Sequence, residues 1–144
     1  MNMPELHLFI SGEPTAKGAV KVSMHGTFAH KFMPKKTRNA IQDARAQIVS
    51  QLPKDFKPME GPLRIQIIVG RTRPKSAPKR VKHAATRPDL DNYLKLIFDA
   101  MNSVVFRDDG QIVAITAVKH FSDKPGIDIT VQDVEPEEEL VKED

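Results

Sequence analysis

Residues 87–113 read RPDLDNYLKLIFDAMNSVVFRDDGQIV. Leu94, Ile97, Phe98 and Met101 recur there at the i, i+3, i+4, i+7 spacing of one helical face, which predicts a helix from about Leu90 to Asn102 with that stripe toward a core. Asp91, Lys95 and Asp99 fall on a separate line, one turn apart. Arg107-Asp108-Asp109-Gly110 has the composition of a tight polar turn. The residues after it, Ile112 to Phe121, read as a strand, joined to a further strand by a turn at Asp123 to Gly126.

Outward from this stretch the pattern is of strands with one more helix. Glu5 to Ser11 (ELHLFIS) alternates acid and apolar residues before running apolar, and predicts a first strand. Gly12 to Thr27 contains Pro14, Gly18 and Gly26, so loop or irregular hairpin is expected, with a short strand over Ala19 to Met24. After Pro34 a second helical stripe runs through Ala40, Ile41, Ala44, Ile48 and Leu52. Pro62 to Gly70 (PLRIQIIVG) predicts a buried central strand, and Ile127 to Val131 a last one. The expected class is α+β, a mixed sheet of four or five strands with two main helices packed on it. Residues 1–134 form one domain in this reading and residues 135–144 a solvated acidic tail.

Charge is unevenly placed. The chain of 144 residues carries +3 overall, but Glu135 to Asp144 holds six acids and one lysine, which leaves 21 basic and 13 acidic residues and a body of +8. A basic body implies an anionic partner, of which nucleic acid is the commonest. Residues 71–87 (RTRPKSAPKRVKHAATR) hold seven Lys or Arg and no acid. With two prolines and no apolar period they predict a long, exposed, mobile loop. Lys35, Lys36 and Arg38 open the first helix, the wrong end for cations unless an external anion lies there. No cysteine is present, which excludes disulfides and thiolate metal sites and permits a reducing compartment. No apolar run reaches the roughly 18 residues of a membrane span, and Met1 to Ile10 lacks the pattern of a signal peptide. A cytoplasmic location is the expectation.

Four carboxylates carry the chemistry: Asp89 and Asp91 where the second helix begins, and Asp108 and Asp109 where it hands over to a strand. Mg²⁺ prefers hard oxygen ligands, commonly a few carboxylates plus waters and phosphate oxygens. An Asp-x-Asp pair at a loop-to-helix junction can converge on one ion. The third ligand must come from elsewhere, because a helix of that length spans about 20 Å. Each aspartate also has a plainer reading, Asp89 or Asp91 as a helix cap and Asp108-Asp109-Gly110 as an ordinary turn. Lys95 can pair with Asp91 or Asp99, or contact the scissile phosphate. Acids beside a basic surface are the layout of metal-dependent phosphodiester hydrolysis.

Arg87-Pro-Asp-Leu-Asp-Asn-Tyr-Leu-Lys95, Phe98-Asp-Ala-Met-Asn102, Val105-Phe-Arg-Asp-Asp109 and Gln111-Ile-Val together resemble the signature of the RusA-type Holliday junction resolvases. Gly12-Glu-Pro-Thr-Ala-Lys17-Gly and Pro34-Lys-Lys-Thr37 are similar to that family's N-terminal half, so the resemblance spans most of residues 6–131. It departs at Phe106, where the aromatic is often Trp, at Ala19-Val20, where Arg-Pro is common, and in the acidic tail. The resemblance implies a homodimeric, Mg²⁺-dependent endonuclease of bacteria or phages that nicks opposing strands of four-way DNA junctions, with Mn²⁺ as a substitute. It assigns Asp89, Asp91 and Asp109 to the metal, Asp108 as an adjacent acid that can join them, and Lys95 as the essential lysine.

Phosphate contacts are expected from Arg71, Arg73, Lys79, Arg80 and Arg87, and from Lys17, Lys35 and Lys36, which read equally well as solvated surface. Two other readings remain open at this point. One is a non-catalytic module that binds branched DNA; the other is a nuclease for flaps or forks, since recognition of DNA shape leaves no short motif.

Overall fold

The computed structural model describes residues 5–18 and 21–143. Its elements are β1 (Leu6–Ser11), β2 (Lys21–His25), β3 (Phe28–Phe32), α1 (Lys35–Gln51), β4 (Leu63–Arg71), α2 (Leu90–Met101), β5 (Ile112–Phe121) and β6 (Gly126–Asp133), with one 3-10 turn over Asp109–Gln111. The main sheet has the order β1-β6-β4-β5, and β2 with β3 forms a separate two-stranded sheet. β6 is antiparallel to both β1 and β4, whereas β4 and β5 are parallel. The α+β class and the mixed four-stranded sheet agree with the sequence reading.

Alternation decides which sheet face is covered. Leu63, Ile65, Ile67 and Val69 of β4 are buried, as are Leu8 and Ile10 of β1 and Ile127, Ile129 and Val131 of β6. These meet Ile41, Ala44 and Ile48 of α1 and Leu96, Ile97, Ala100 and Met101 of α2 in one core. Intervening strand residues such as His7, Gln66 and Asp128 stay exposed, so the helices cover one face only. At the β5–β6 connection, a Cβ on Gly70 would stand 3.0 Å from the Ser122 side chain. One on Gly126 would run into the Phe9 ring and the Ile10 carbonyl. Two glycines that face each other in the β4–β6 register thus let that connection pass across the end of β4.

Four expectations need correction. The buried face of α2 is Tyr93, Leu96, Ile97, Ala100 and Met101. Leu94 and Phe98 are only partly buried, because α2 is rotated to pack against both α1 and the sheet. Phe28–Phe32 is a strand that the sequence did not suggest; the turn at Gly26, with φ +64°, pairs it with β2. The short strand expected over Ala19 to Met24 runs Lys21–His25, and its first two residues lie outside the described ones. The basic loop is pinned rather than free, as described below. Val105 and Phe106 are fully buried, which explains why an aromatic side chain suits position 106. Among the described residues no helix is long and apolar enough to cross a membrane.

Candidate active site and nucleic-acid interface

The parallel β4–α2–β5 unit places the acids. β4 runs from Leu63, opposite Ile112, to Arg71, opposite Phe121. α2 must return along the sheet, so its N-terminus, with Asp89 and Asp91, stands at the C-terminal end of both strands. Asp108 and Asp109, just before β5, stand at the other end. The length of α2 and the strand rise separate the two pairs by roughly 20 Å. Accordingly, no group of three or more acids, histidines or cysteines that could hold a metal ion occurs among the described residues.

At the first end, Asp89 takes the N-cap position of α2, yet its side chain makes no capping hydrogen bond. The plain capping reading therefore fails there, and the exposed carboxylate is left to solvent or a ligand. Asp91 and Lys95 pair at 3.6 Å, with roughly two thirds of each side chain exposed; such a contact contributes little to stability. At the second end the two aspartates differ. The Asp108 carboxylate accepts from the Gly110 N–H at 2.8 Å and forms a reciprocal capping box with Gln111, so the turn reading suits it well. No hydrogen bond to the Asp109 carboxylate occurs among the described residues, and it is exposed.

The segment before Asp89 is held by cations. Lys119 Nζ donates to the carbonyls of Thr86 and Pro88 at 2.8 Å each. Arg71 Nη1 donates to the Arg87 carbonyl at 2.7 Å and the Thr86 hydroxyl at 3.2 Å. Three successive carbonyls, 86 to 88, are thus fixed by side chains from β4 and β5. Arg73 donates to the carbonyls of Pro78, at 2.7 Å, and Val81. Phe121 N–H bonds the Lys82 carbonyl, and the guanidiniums of Arg71 and Arg73 stand 5.8 and 5.4 Å from the Phe121 ring centre. Such contacts favour the cation over the ring face. Arg71 and Arg73, expected as phosphate contacts, have guanidinium N–H groups engaged in ordering the loop. Lys79, Arg80 and Arg87 are exposed. A depression beside them is lined by Thr72, Arg73, Lys79, Lys82, Ser122 and Asp123.

Two side chains here escaped the sequence reading. Lys119 sits in an alternating strand, where a lysine passes for an exposed position. Glu13 accepts from the Thr72 N–H at 3.1 Å and the Thr72 hydroxyl at 2.6 Å, tying the loop after β1 to the end of β4. Burial raises the Tyr93 phenol above its ordinary value, with Arg71 opposing and Glu13 adding to the shift. The run Gly12 to Gly18 was the signal available for Glu13. Lys17 lies along α2: its N–H donates to the Asn92 carbonyl at 2.9 Å, and its ammonium pairs with Asp99 at 2.9 Å. Arg45 completes that contact by donating to the carbonyls of Asp99 and Ala100. Lys35 and Lys36 are exposed on the first turn of α1, which holds no acid.

The model of the family described as "Endodeoxyribonuclease RusA" matches residues 11–132. The chain belongs to the RusA family. The match runs from the last residue of β1 to the last but one of β6 and so includes all four aspartates, Lys95 and the basic loop. The chain is also similar to "Uncharacterized protein YqaN" of Bacillus subtilis (strain 168), 28% identical over 135 residues, which cover 87% of this chain and 94% of the relative. As a RusA-family chain it is a member of an endodeoxyribonuclease family, and the phosphodiester chemistry inferred from acids and basic surface agrees with that membership.

Proposed function

We propose that this protein is a divalent-metal-dependent endonuclease that resolves four-way DNA junctions by paired symmetric nicks, working as a homodimer whose active sites are each shared by two chains. The observation behind the shared site is the separation of Asp89 and Asp91 from Asp109 along α2. Three carboxylates can meet on one ion only if a second chain turns its β5 end toward the first chain's α2 N-terminus. Two-fold symmetry then makes two equal sites, matching the near two-fold symmetry of a four-way junction.

The donors present fit a hard cation: exposed carboxylates, unused in capping at Asp89 and unpartnered at Asp109. Asp89, Asp91 and the partner's Asp109 would hold Mg²⁺ or Mn²⁺, with Asp108 near by. Bound there, the ion supplies an activated water and charge stabilisation on the transferring phosphoryl group. Lys119 and Arg71 keep the carbonyls before Asp89 in place, so its carboxylate is presented without reorganisation. Lys95, one turn inside α2 and exposed beside Asp91, can meet a phosphate oxygen. Lys79, Arg80 and Arg87 flank this end and neutralise the approaching backbone.

The test is cleavage of a synthetic four-way junction beside linear duplex and flap controls, with Mg²⁺ and with EDTA. Paired, Mg²⁺-dependent nicks on the junction alone support the proposal. Cutting of flaps instead keeps the chemistry and changes the substrate. Binding without cutting in any metal overturns the catalytic reading.

A further inference from the structure

The β2–β3 hairpin is a surface that the proposed chemistry does not use. Its base is anchored: Gly18 N–H donates to the Thr37 hydroxyl at 3.2 Å, Thr37 is buried in α1, and Met33 and Pro34 lead directly into that helix. Beyond the base, large apolar side chains stand exposed on both faces. Val22 and Met24, on one face, are 57% and 63% exposed; Phe28, on the other face beside the Gly26–Thr27 turn, is 77% exposed. A two-stranded ribbon is marginally stable alone, and large apolar side chains on its tip are a cost unless something receives them.

Charge and shape say what receives them. From Pro14 to Gln42 the sequence has six Lys or Arg and no Asp or Glu. Lys17 is paired with Asp99, and the exposed Lys31 of the ribbon with Lys35, Lys36 and Arg38 at the start of α1 presents a basic surface to a polyanion. A second copy docked flat would cover one face of the ribbon, whereas apolar side chains on both faces suit insertion into a cleft. A two-stranded ribbon fits the DNA major groove, and Phe or Met wedges enter between base steps. We infer that the β2–β3 hairpin is a DNA-inserting wedge that places Phe28, with Met24 behind it, against unstacked bases at the branch point of the junction. This rests on the branched-DNA reading above and deepens it: the acids cut, and the hairpin opens the branch.

The full-length protein is bound to a four-way junction carrying 2-aminopurine at the branch point, in Ca²⁺ to prevent cutting, and compared with Phe28→Ala and Phe28→Trp. Wild type raises the fluorescence as bases unstack. Phe28→Ala loses that rise and binds the junction roughly 5- to 100-fold more weakly, with linear-duplex binding unchanged, and Phe28→Trp restores it. Full fluorescence and junction affinity in Phe28→Ala overturn the wedge while leaving the nuclease reading intact. A Phe28→Ala protein that turns monomeric by light scattering makes the hairpin a dimer arm and also overturns it. If the wild type ignores the junction, the branched-DNA reading falls, and the wedge falls with it.

Discussion

Mixing two inactive variants tests the shared site directly. Asp89→Asn removes one carboxylate from the α2 end, and Asp109→Asn removes the one from the β5 end, about 20 Å away in the same chain. If each site takes Asp89 and Asp91 from one chain and Asp109 from the other, neither variant alone has an intact site. Co-refolded at equal amounts, half the dimers are mixed. In a mixed dimer one site lacks both carboxylates and the other lacks neither. About one quarter of all sites are therefore live, and no dimer has two. The expected outcome is nicking at about 25% of the wild-type rate per site, with single nicks and no symmetric pairs. The assay is a labelled four-way junction in Mg²⁺ on a denaturing gel, and subunit mixing is checked with a tagged chain by mass. A mixture as dead as its parents, in protein shown to have mixed, would place all three aspartates in one chain's site and refute the reasoning. It would do so against the geometry of β4, α2 and β5, so the family's metal assignment for Asp109 would be the next statement to question.

Lys119→Met removes two charge-assisted bonds to the Thr86 and Pro88 carbonyls and should cost about 1 to 3 kcal/mol, discounted for partial exposure. Limited trypsin digestion should then cut near Arg80 and Lys82 faster, and the turnover rate should fall more than junction affinity; unchanged digestion would show the loop is held without it. Lys79→Ala with Arg80→Ala should reduce the salt slope of junction binding by about two counterions, while Arg73→Ala should act mainly by loosening the loop, as melting temperature and trypsin sensitivity report. Because burial raises the Tyr93 phenol, the stability it contributes is complete below the unfolded value near pH 10. It is lost as pH rises through the folded value. Urea unfolding at pH 8 and at pH 10.5 should show that loss in wild type and a smaller one in Tyr93→Phe.

The main sheet was legible because its strands alternate or run apolar for their whole length, and both helices because their stripes keep a 3.6-residue period. What failed did so for physical reasons. The β2–β3 ribbon buries little, so FAHKF shows no core-facing period to read. The α2 stripe misled because a helix packed on two neighbours buries a wider arc, and Tyr93 and Ala100 fill it where Leu94 and Phe98 were expected. The basic loop looked mobile because order there comes from Arg71, Arg73 and Lys119 reaching carbonyls up to 33 residues away. No local pattern encodes that. Its arginines were read as phosphate contacts by charge alone, which cannot distinguish a guanidinium facing solvent from one turned onto its own loop.

The aspartates show how far residue type reaches and where geometry must take over. In the sequence all four had equally plain alternatives, caps for one pair and a turn for the other. In the fold those alternatives separate. Asp108 does what a turn aspartate does, accepting from Gly110 and pairing its box with Gln111. Asp89 occupies a cap position without capping, and Asp109, next door to a well-satisfied residue, has no bond to its carboxylate among the described residues. Polar groups left exposed and unused at a rigid element's end are inexpensive to keep in water, so stability alone does not require them to be acids. Asn or Ser would cap α2 at Asp89 about equally well. The choice of carboxylate at both ends of one helix, in a body otherwise biased toward +8, is what the proposed cation, reached by both ends, would explain. One chain cannot fold the two ends together without breaking the β4–β5 register, so the proposed metal site would draw its third carboxylate from a second chain.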